Sequence, residues 1–239
     1  MTKSIINSNA EFELGYWAIR GLAQPIRYLF AFAQVPLSEV RIGVDMHGEV
    51  LEDESSDWHQ LRDTLPMPFP NLPYLIDRRG ETPIYLAQSN AILRYLGREF
   101  ELYGDCSTDA RTIDMLQEEI YDYRNAVVKT AYTLGVEYED AYQEFCGESV
   151  PRYLDRLDNY LSDRSKSHFV GNRTSFIDFV LYELLWQSRL MVPGSITNEL
   201  RPNLDCFLRS FGELPEIMAY EKSADYIERP INSHWASFT

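Results

Sequence analysis

Three short stretches of this chain carry residue types suited to chemistry beside a bound peptide. The first, Leu14-Gly15-Tyr16-Trp17-Ala18-Ile19-Arg20-Gly21-Leu22, reads as a strand that ends at a tyrosine and runs into a loop. A side chain at the end of such a strand can project into a cleft at a domain edge, where loops on a rigid scaffold carry function. A phenol there donates a hydrogen bond. A donor that favours the charged form of an acid lowers that acid's pKa, each unit being worth about 1.4 kcal/mol. The second stretch, Phe69-Pro70-Asn71-Leu72-Pro73-Tyr74, is a bend leading into a proline-led strand, compatible by itself with an edge strand or plain loop. The third, Gln88-Ser89, sits where a helical pattern begins; a hydroxyl followed by free amides at a helix start can hold a carboxylate. Singly, these fit a packing tyrosine, a loop proline and an ordinary N-cap. In this order they read as a peptide-binding site beside a phenol.

The elements that must position them follow from apolar spacing. From Phe12 to about Arg98 short apolar runs alternate with helical periodicity, whereas beyond Cys106 the pattern stays helical, so an α/β domain should precede an all-α domain. Phe12 to Trp17 is expected as a strand, Gln24 to Ala33 as a helix and Val40 to Val44 as a second strand. The acidic run Glu49 to Asp57 has little to bury and is expected as a solvated loop, before a short irregular or helical piece at Trp58 to Leu65. Pro66, Pro68, Pro70 and Pro73 then forbid a regular helix. Tyr74 to Asp77 and Thr82 to Leu86 form a hairpin across Arg78-Arg79-Gly80-Glu81, and Gln88 to Arg98 a helix. Ser175 to Asp178 has capping-box spacing and should start a buried helix over Phe176 to Leu190.

Bulk properties narrow the function classes. A chain of 239 residues, 45% of them apolar, can bury a substantial core. Its net charge of -15 opposes nucleic acid and anionic membranes, so neither is expected as a partner. Met1 to Leu14 lacks an apolar core of signal-peptide length, and the apolar stretch near Phe179 to Trp186 is interrupted by Glu183; a cytoplasmic protein is expected. Cys106, Cys146 and Cys206 are far apart and without CxxC spacing, and His47, His59, His168 and His234 show no helical ligand pairing, so no disulfide framework or metal site is expected.

On these fragments the chain resembles the cytosolic glutathione transferases, most closely the mu class, over nearly all its length. The resemblance implies an α/β thioredoxin-like N-terminal domain plus an all-α C-terminal helical domain. The divisions are an extension at 1–11, the glutathione-binding domain at 12–98, a linker at 99–107 and an electrophile-binding domain at 108–239. It implies that Tyr16 donates to the glutathione sulfur and keeps it anionic, that Trp17 lines the same site, and that a cis Leu72-Pro73 bond exposes backbone for the cysteinyl unit beside Asn71. Gln88 and Ser89 would hold the γ-glutamyl end, joined by Asp122 from the other subunit of a homodimer. Trp58 and Arg62 match residues at the glycine carboxylate, Arg62 offering a guanidinium in place of an ammonium. Ser55 stands where the family carries another basic residue.

For the electrophile pocket the resemblance points to Ile19 and Leu22 on the first loop and to Tyr121, Asn125, Val128 and Tyr132, which share one helix face, with Ser233 reaching in from the C-terminal segment. Phe69 matches an aromatic key between subunits, and Arg94 and Arg98 match arginines flanking the twofold axis. The implied activity is conjugation of the glutathione thiolate to hydrophobic electrophiles, a detoxification reaction, with glutathione as co-substrate and no cofactor or metal. Two alternatives stay open: a sigma-like glutathione-dependent isomerase or peroxidase, and a non-catalytic ligand-binding relative.

Overall fold

The computed structural model describes residues 3–5, 10–43, 54–162 and 168–239. Packing divides the chain into two units. The first comprises residues 1–96 with a returning segment, Ile227–Pro230, and the second comprises 97–226 with 231–239.

The first unit is built on a five-stranded sheet of order β1-β3-β2-β4-β5. Strand β2 (Phe12–Trp17) sits at its centre, as its alternating FELGYW pattern requires: Phe12, Leu14 and Tyr16 are all buried. It pairs in parallel with β3 (Leu37–Ile42), which demands a crossover, and α1 (Gln24–Ala33) supplies it. Pro25 suits the first turn of α1, where its missing amide costs nothing. Buried Ile26, Leu29 and Phe30 face the sheet, and the Phe30 ring meets Phe12 edge-on at 5.1 Å. On the other flank β2 pairs antiparallel with β4 (Tyr74–Asp77), and β4 with β5 (Ile84–Ala87). Gly15 opposes Tyr74 in this ladder, and a Cβ at Gly15 would lie 1.9 Å from the Tyr74 ring, so glycine is the residue that fits.

Charge is buried between α1 and β3. Glu39 accepts from Arg27 through Nε at 2.7 Å and from Arg41 Nε at 3.0 Å. Burial alone would push the Glu39 carboxyl up, but the two guanidinium groups outweigh it and hold the group below the usual range. At the hairpin, Asp77 accepts from the Arg79 guanidinium at 2.6 Å, the Arg79 amide at 3.0 Å and the Tyr95 hydroxyl at 2.5 Å. Burial opposes its ionisation, yet these donors lower the carboxyl to about 2.

Several elements depart from expectation. β1 (Lys3–Ile5) lies inside the expected extension and pairs antiparallel with β3 at the sheet edge. β3 begins at Leu37, ahead of the Val40 expected, and Val44 is outside the described residues. Of the acidic run expected as loop, residues 49–53 are outside the described residues, while 54–57 open α2 (Glu54–Arg62). Asp57 in the first turn with His59 and Arg62 in the last complements the helix dipole, so charge that reads as solvated loop is compatible with a helix. Helix α3 (Ser89–Glu99) contains the boundary between the units, which falls between Leu96 and Gly97, ahead of the expected linker.

Among the described residues the regular elements of the second unit are helices: α4 (Ser107–Ala131), α5 (Glu137–Glu144), α6 (Val150–Ser162), α7 (Phe176–Met191), α8 (Pro202–Gly212) and α9 (Pro215–Glu221), with a π-turn over Phe145–Ser149 leading into α6. α7 is its buried axis, as its apolar composition requires. The capping box forms: the Asp178 carboxylate accepts from the Ser175 amide at 2.8 Å and hydroxyl at 3.0 Å, and also from the Phe169 amide at 3.0 Å. Tyr123 of α4 and Ser188 of α7 share a buried hydrogen bond of 2.8 Å.

Candidate active site

β2 delivers Tyr16 to the sheet's end, and the next six residues fold back over its ring. Tyr16 is 6% exposed, and the Leu22 amide donates to its hydroxyl oxygen at 3.1 Å. That approach depends on Gly21, whose φ is +42° and whose hypothetical Cβ would lie 2.5 Å from the same oxygen. With an acceptor position of the oxygen taken by an N–H, the phenol is oriented as a donor. The loop is tied down by the returning segment: the Arg20 amide donates to the Pro230 carbonyl at 3.0 Å, and its fully buried guanidinium donates to the Ile227 carbonyl at 2.8 Å and to the Tyr28 hydroxyl at 3.2 Å. Trp17, Ile19 and Leu22 are half-buried on this loop.

The bend before β4 places the second fragment. Leu72-Pro73 is cis, Leu72 and Pro73 are buried, and the Leu72 amide donates to the side-chain oxygen of exposed Asn71 at 2.9 Å. The Tyr74 hydroxyl donates to Glu13 at 3.1 Å; burial and that neighbouring carboxylate raise its pKa, so it stays a neutral structural phenol. Gln88 follows β5 with φ of +71°, a conformation non-glycine residues seldom adopt, and its carbonyl accepts from the Ile92 amide at 3.0 Å to open α3. Ser89 is buried at that helix start. Trp58 and Arg62, four residues apart on α2, share a face and are half-buried; Arg62 Nε donates to Asp63 at 3.0 Å. Ser55 lies in α2, but its side chain is outside the described residues.

In the second unit, Tyr121, Asn125 and Val128 run along α4 to Tyr132 at its C-cap. Tyr121 is 38% exposed and Asn125 exposed, whereas α4 commits Ile113, Leu116, Ile120, Tyr123 and Val127 to this unit's core. Tyr132 and Ser233 are brought together: the Ser233 amide donates to the Tyr132 hydroxyl at 3.0 Å. The Ser237 amide caps the Ala131 carbonyl at 2.8 Å, and Trp235 meets the Tyr132 ring edge-on at 4.7 Å. Trp235, which packs on the Tyr132 ring, was not among the expected residues; an aromatic two places after Ser233 was the available signal. Phe69 is 77% exposed and Asp122 is exposed on α4. Arg94 is half-buried, and Arg98 lies over the Tyr103 ring at 4.4 Å. Among the described residues no cluster of His, Cys, Asp or Glu could hold a metal ion, and no helix is long and apolar enough to cross a membrane.

Residues 12–98 match the family model described as "Glutathione S-transferase, N-terminal domain", and residues 121–224 match "Glutathione S-transferase, C-terminal domain". The chain is 38% identical to "Glutathione S-transferase 2" of Gallus gallus over 91% of its own length and 93% of that protein's. It is 35% identical to "Glutathione S-transferase Mu 1" of Oryctolagus cuniculus, covering 95% of this chain and 97% of that one. Among solved structures, the "Pi-class Glutathione S-transferase" of Onchocerca volvulus superposes with a TM-score of 0.76 at 24% identity, over 95% of this chain and 99% of that chain, which establishes a shared fold.

Proposed function

This chain belongs to the glutathione S-transferase family and is a glutathione transferase with glutathione as co-substrate, and from that premise we propose that Tyr16 activates the thiol while the second unit selects the electrophile. The carrying observation is the 3.1 Å bond from the Leu22 amide to the Tyr16 oxygen, which takes up an acceptor position there and supports a phenol that offers its proton to the sulfur. Glutathione lies with its cysteinyl unit along Leu72-Pro73, its γ-glutamyl carboxylate at Ser89 and the amides opening α3, and its glycine carboxylate at Trp58 and Arg62. Asp122 of a second subunit reaches the γ-glutamyl ammonium, so the working form is a homodimer in the cytoplasm.

The chemistry is nucleophilic substitution or addition. The thiol proton leaves to solvent as the Tyr16 hydroxyl donates to the sulfur, and the thiolate forms a bond to an electrophilic carbon. With an aryl halide the halide departs; with an enone the adjacent carbon takes a proton from solvent. In the second unit Tyr121, Asn125, Val128 and Tyr132, with Ser233, hold the hydrophobic partner, which raises its effective concentration. The conjugation serves detoxification. The test is Tyr16→Phe: turnover of a chloronitrobenzene should fall about a hundredfold while glutathione binding changes little, as expected for loss of one donor to developing charge. Unchanged turnover would remove the phenol from this role.

A further inference from the structure

The loop that carries Leu22 is gripped from below by Arg27, a buried residue of α1. Its Nη1 donates to the Ile19 carbonyl at 2.9 Å and to the Arg20 carbonyl at 3.4 Å. The other edge of the guanidinium, Nε and Nη2, donates to Glu39 Oε1 at 2.7 and 2.5 Å, and Arg41 holds Glu39 Oε2 at 3.0 Å. Burying such charges costs several kcal/mol before their attraction repays it, and an apolar contact would join α1 to β3 as well. What an apolar contact could not do is hold two successive carbonyls just ahead of Gly21 and Leu22. Fixing those carbonyls fixes the peptide planes on either side of Arg20, and so the direction in which the chain enters Gly21. A planar fork can serve a carboxylate on one edge and carbonyls on the other; an ammonium cannot do both in that geometry.

We propose that Arg27, oriented by Glu39, is a positioning residue for thiol activation: it sets the Leu22 amide on the Tyr16 oxygen and thereby tunes the acidity of bound glutathione. The proposal rests on the reading of Tyr16 as the sulfur's partner. An N–H donated to the phenol oxygen polarises its O–H and makes it a better donor, so a loosened loop weakens the bond offered to sulfur. The peptide contacts at Leu72, Gln88 and Ser89 lie on other elements and are unaffected.

The experiment follows the ultraviolet absorbance of bound thiolate across pH, with kcat and glutathione KM, in the wild type, Arg27→Lys, the double variant Arg27→Met with Glu39→Gln, and Tyr16→Phe. The double variant removes both charges together, the change buried pairs tolerate best, and the side-chain amide that replaces the Glu39 carboxylate can still accept from Arg41, so it carries the test if Arg27→Lys does not fold. Both Arg27 variants should raise the bound thiol pKa by about one pH unit and lower kcat at neutral pH about tenfold, with glutathione KM within about threefold and activity recovering as pH rises. A lowered melting temperature with an unshifted thiol pKa and unchanged kcat would make the cluster purely structural and overturn the proposal. If Tyr16→Phe also leaves the thiol pKa in place, the reading of the phenol itself fails. If Tyr16→Phe raises it and the Arg27 variants do not, only the positioning role falls.

Discussion

Two residues at the candidate site, Gly21 and Gln88, hold positive φ, and only one of them is a glycine. Gly21→Ala adds a methyl 2.5 Å from the Tyr16 oxygen and forces alanine into the left-handed region. The expected outcome is a folded protein, destabilised by about 1–2 kcal/mol, whose turnover drops at least about tenfold because the phenol is displaced. Steady-state kinetics beside a thermal melt would check it. Gln88 presents the converse case, where strain of about 1–3 kcal/mol is kept at a site residue. Gln88→Gly should leave the melting temperature unchanged or higher while raising glutathione KM; a lower KM would count against its binding role. Tyr16 was legible because its place at a strand end before Arg20 and Gly21 is local. The Leu22 amide was hidden, since a backbone donor carries no residue signature. Arg27 stands in the sequence as a charged residue among the apolar positions of α1, where Ile26, Leu29 and Phe30 face the core, which is the local mark of a buried ion pair.

At the scale of elements, β2, α1 and β4 have the bounds their patterns predict, because alternation, a proline in the first turn and a proline-led strand are all short-range instructions. β1 escaped because three residues on an edge give no periodicity, and the start of α2 escaped because acidic residues read alike in a loop and in a first turn. The β4–β5 hairpin has a titratable lock. Asp77 is held at about 2 by Arg79 and Tyr95, below the ordinary carboxylate value of 3.8, so its stabilisation is complete above about pH 4 and is lost as pH falls toward 2. Asp77→Asn should therefore cost about 2 kcal/mol at neutral pH, with the difference from wild type shrinking through that acid window. Urea titrations at pH 7 and near pH 3 would show it, and an equal gap at both would assign the loss to packing.

For the whole molecule, the succession of an α/β unit and an all-helical unit was legible from where apolar alternation gives way to helical spacing, but the return of Ile227–Pro230 to the first unit was not. Arg20 meets Ile227 across 207 positions, and nothing local announces such a pairing. Assembly belongs to this scale too. On the proposed dimer, Phe69→Ser should shift the sedimentation equilibrium toward monomer, and Asp122→Ala should raise glutathione KM without dissociating the pair; an unchanged KM would dismiss a shared site. The returning segment also has a consequence in time. During synthesis on the ribosome, the loop after Tyr16 waits for carbonyls that emerge only after every described helix has been translated, so the clasp on Arg20 is among the last contacts the nascent polypeptide can make.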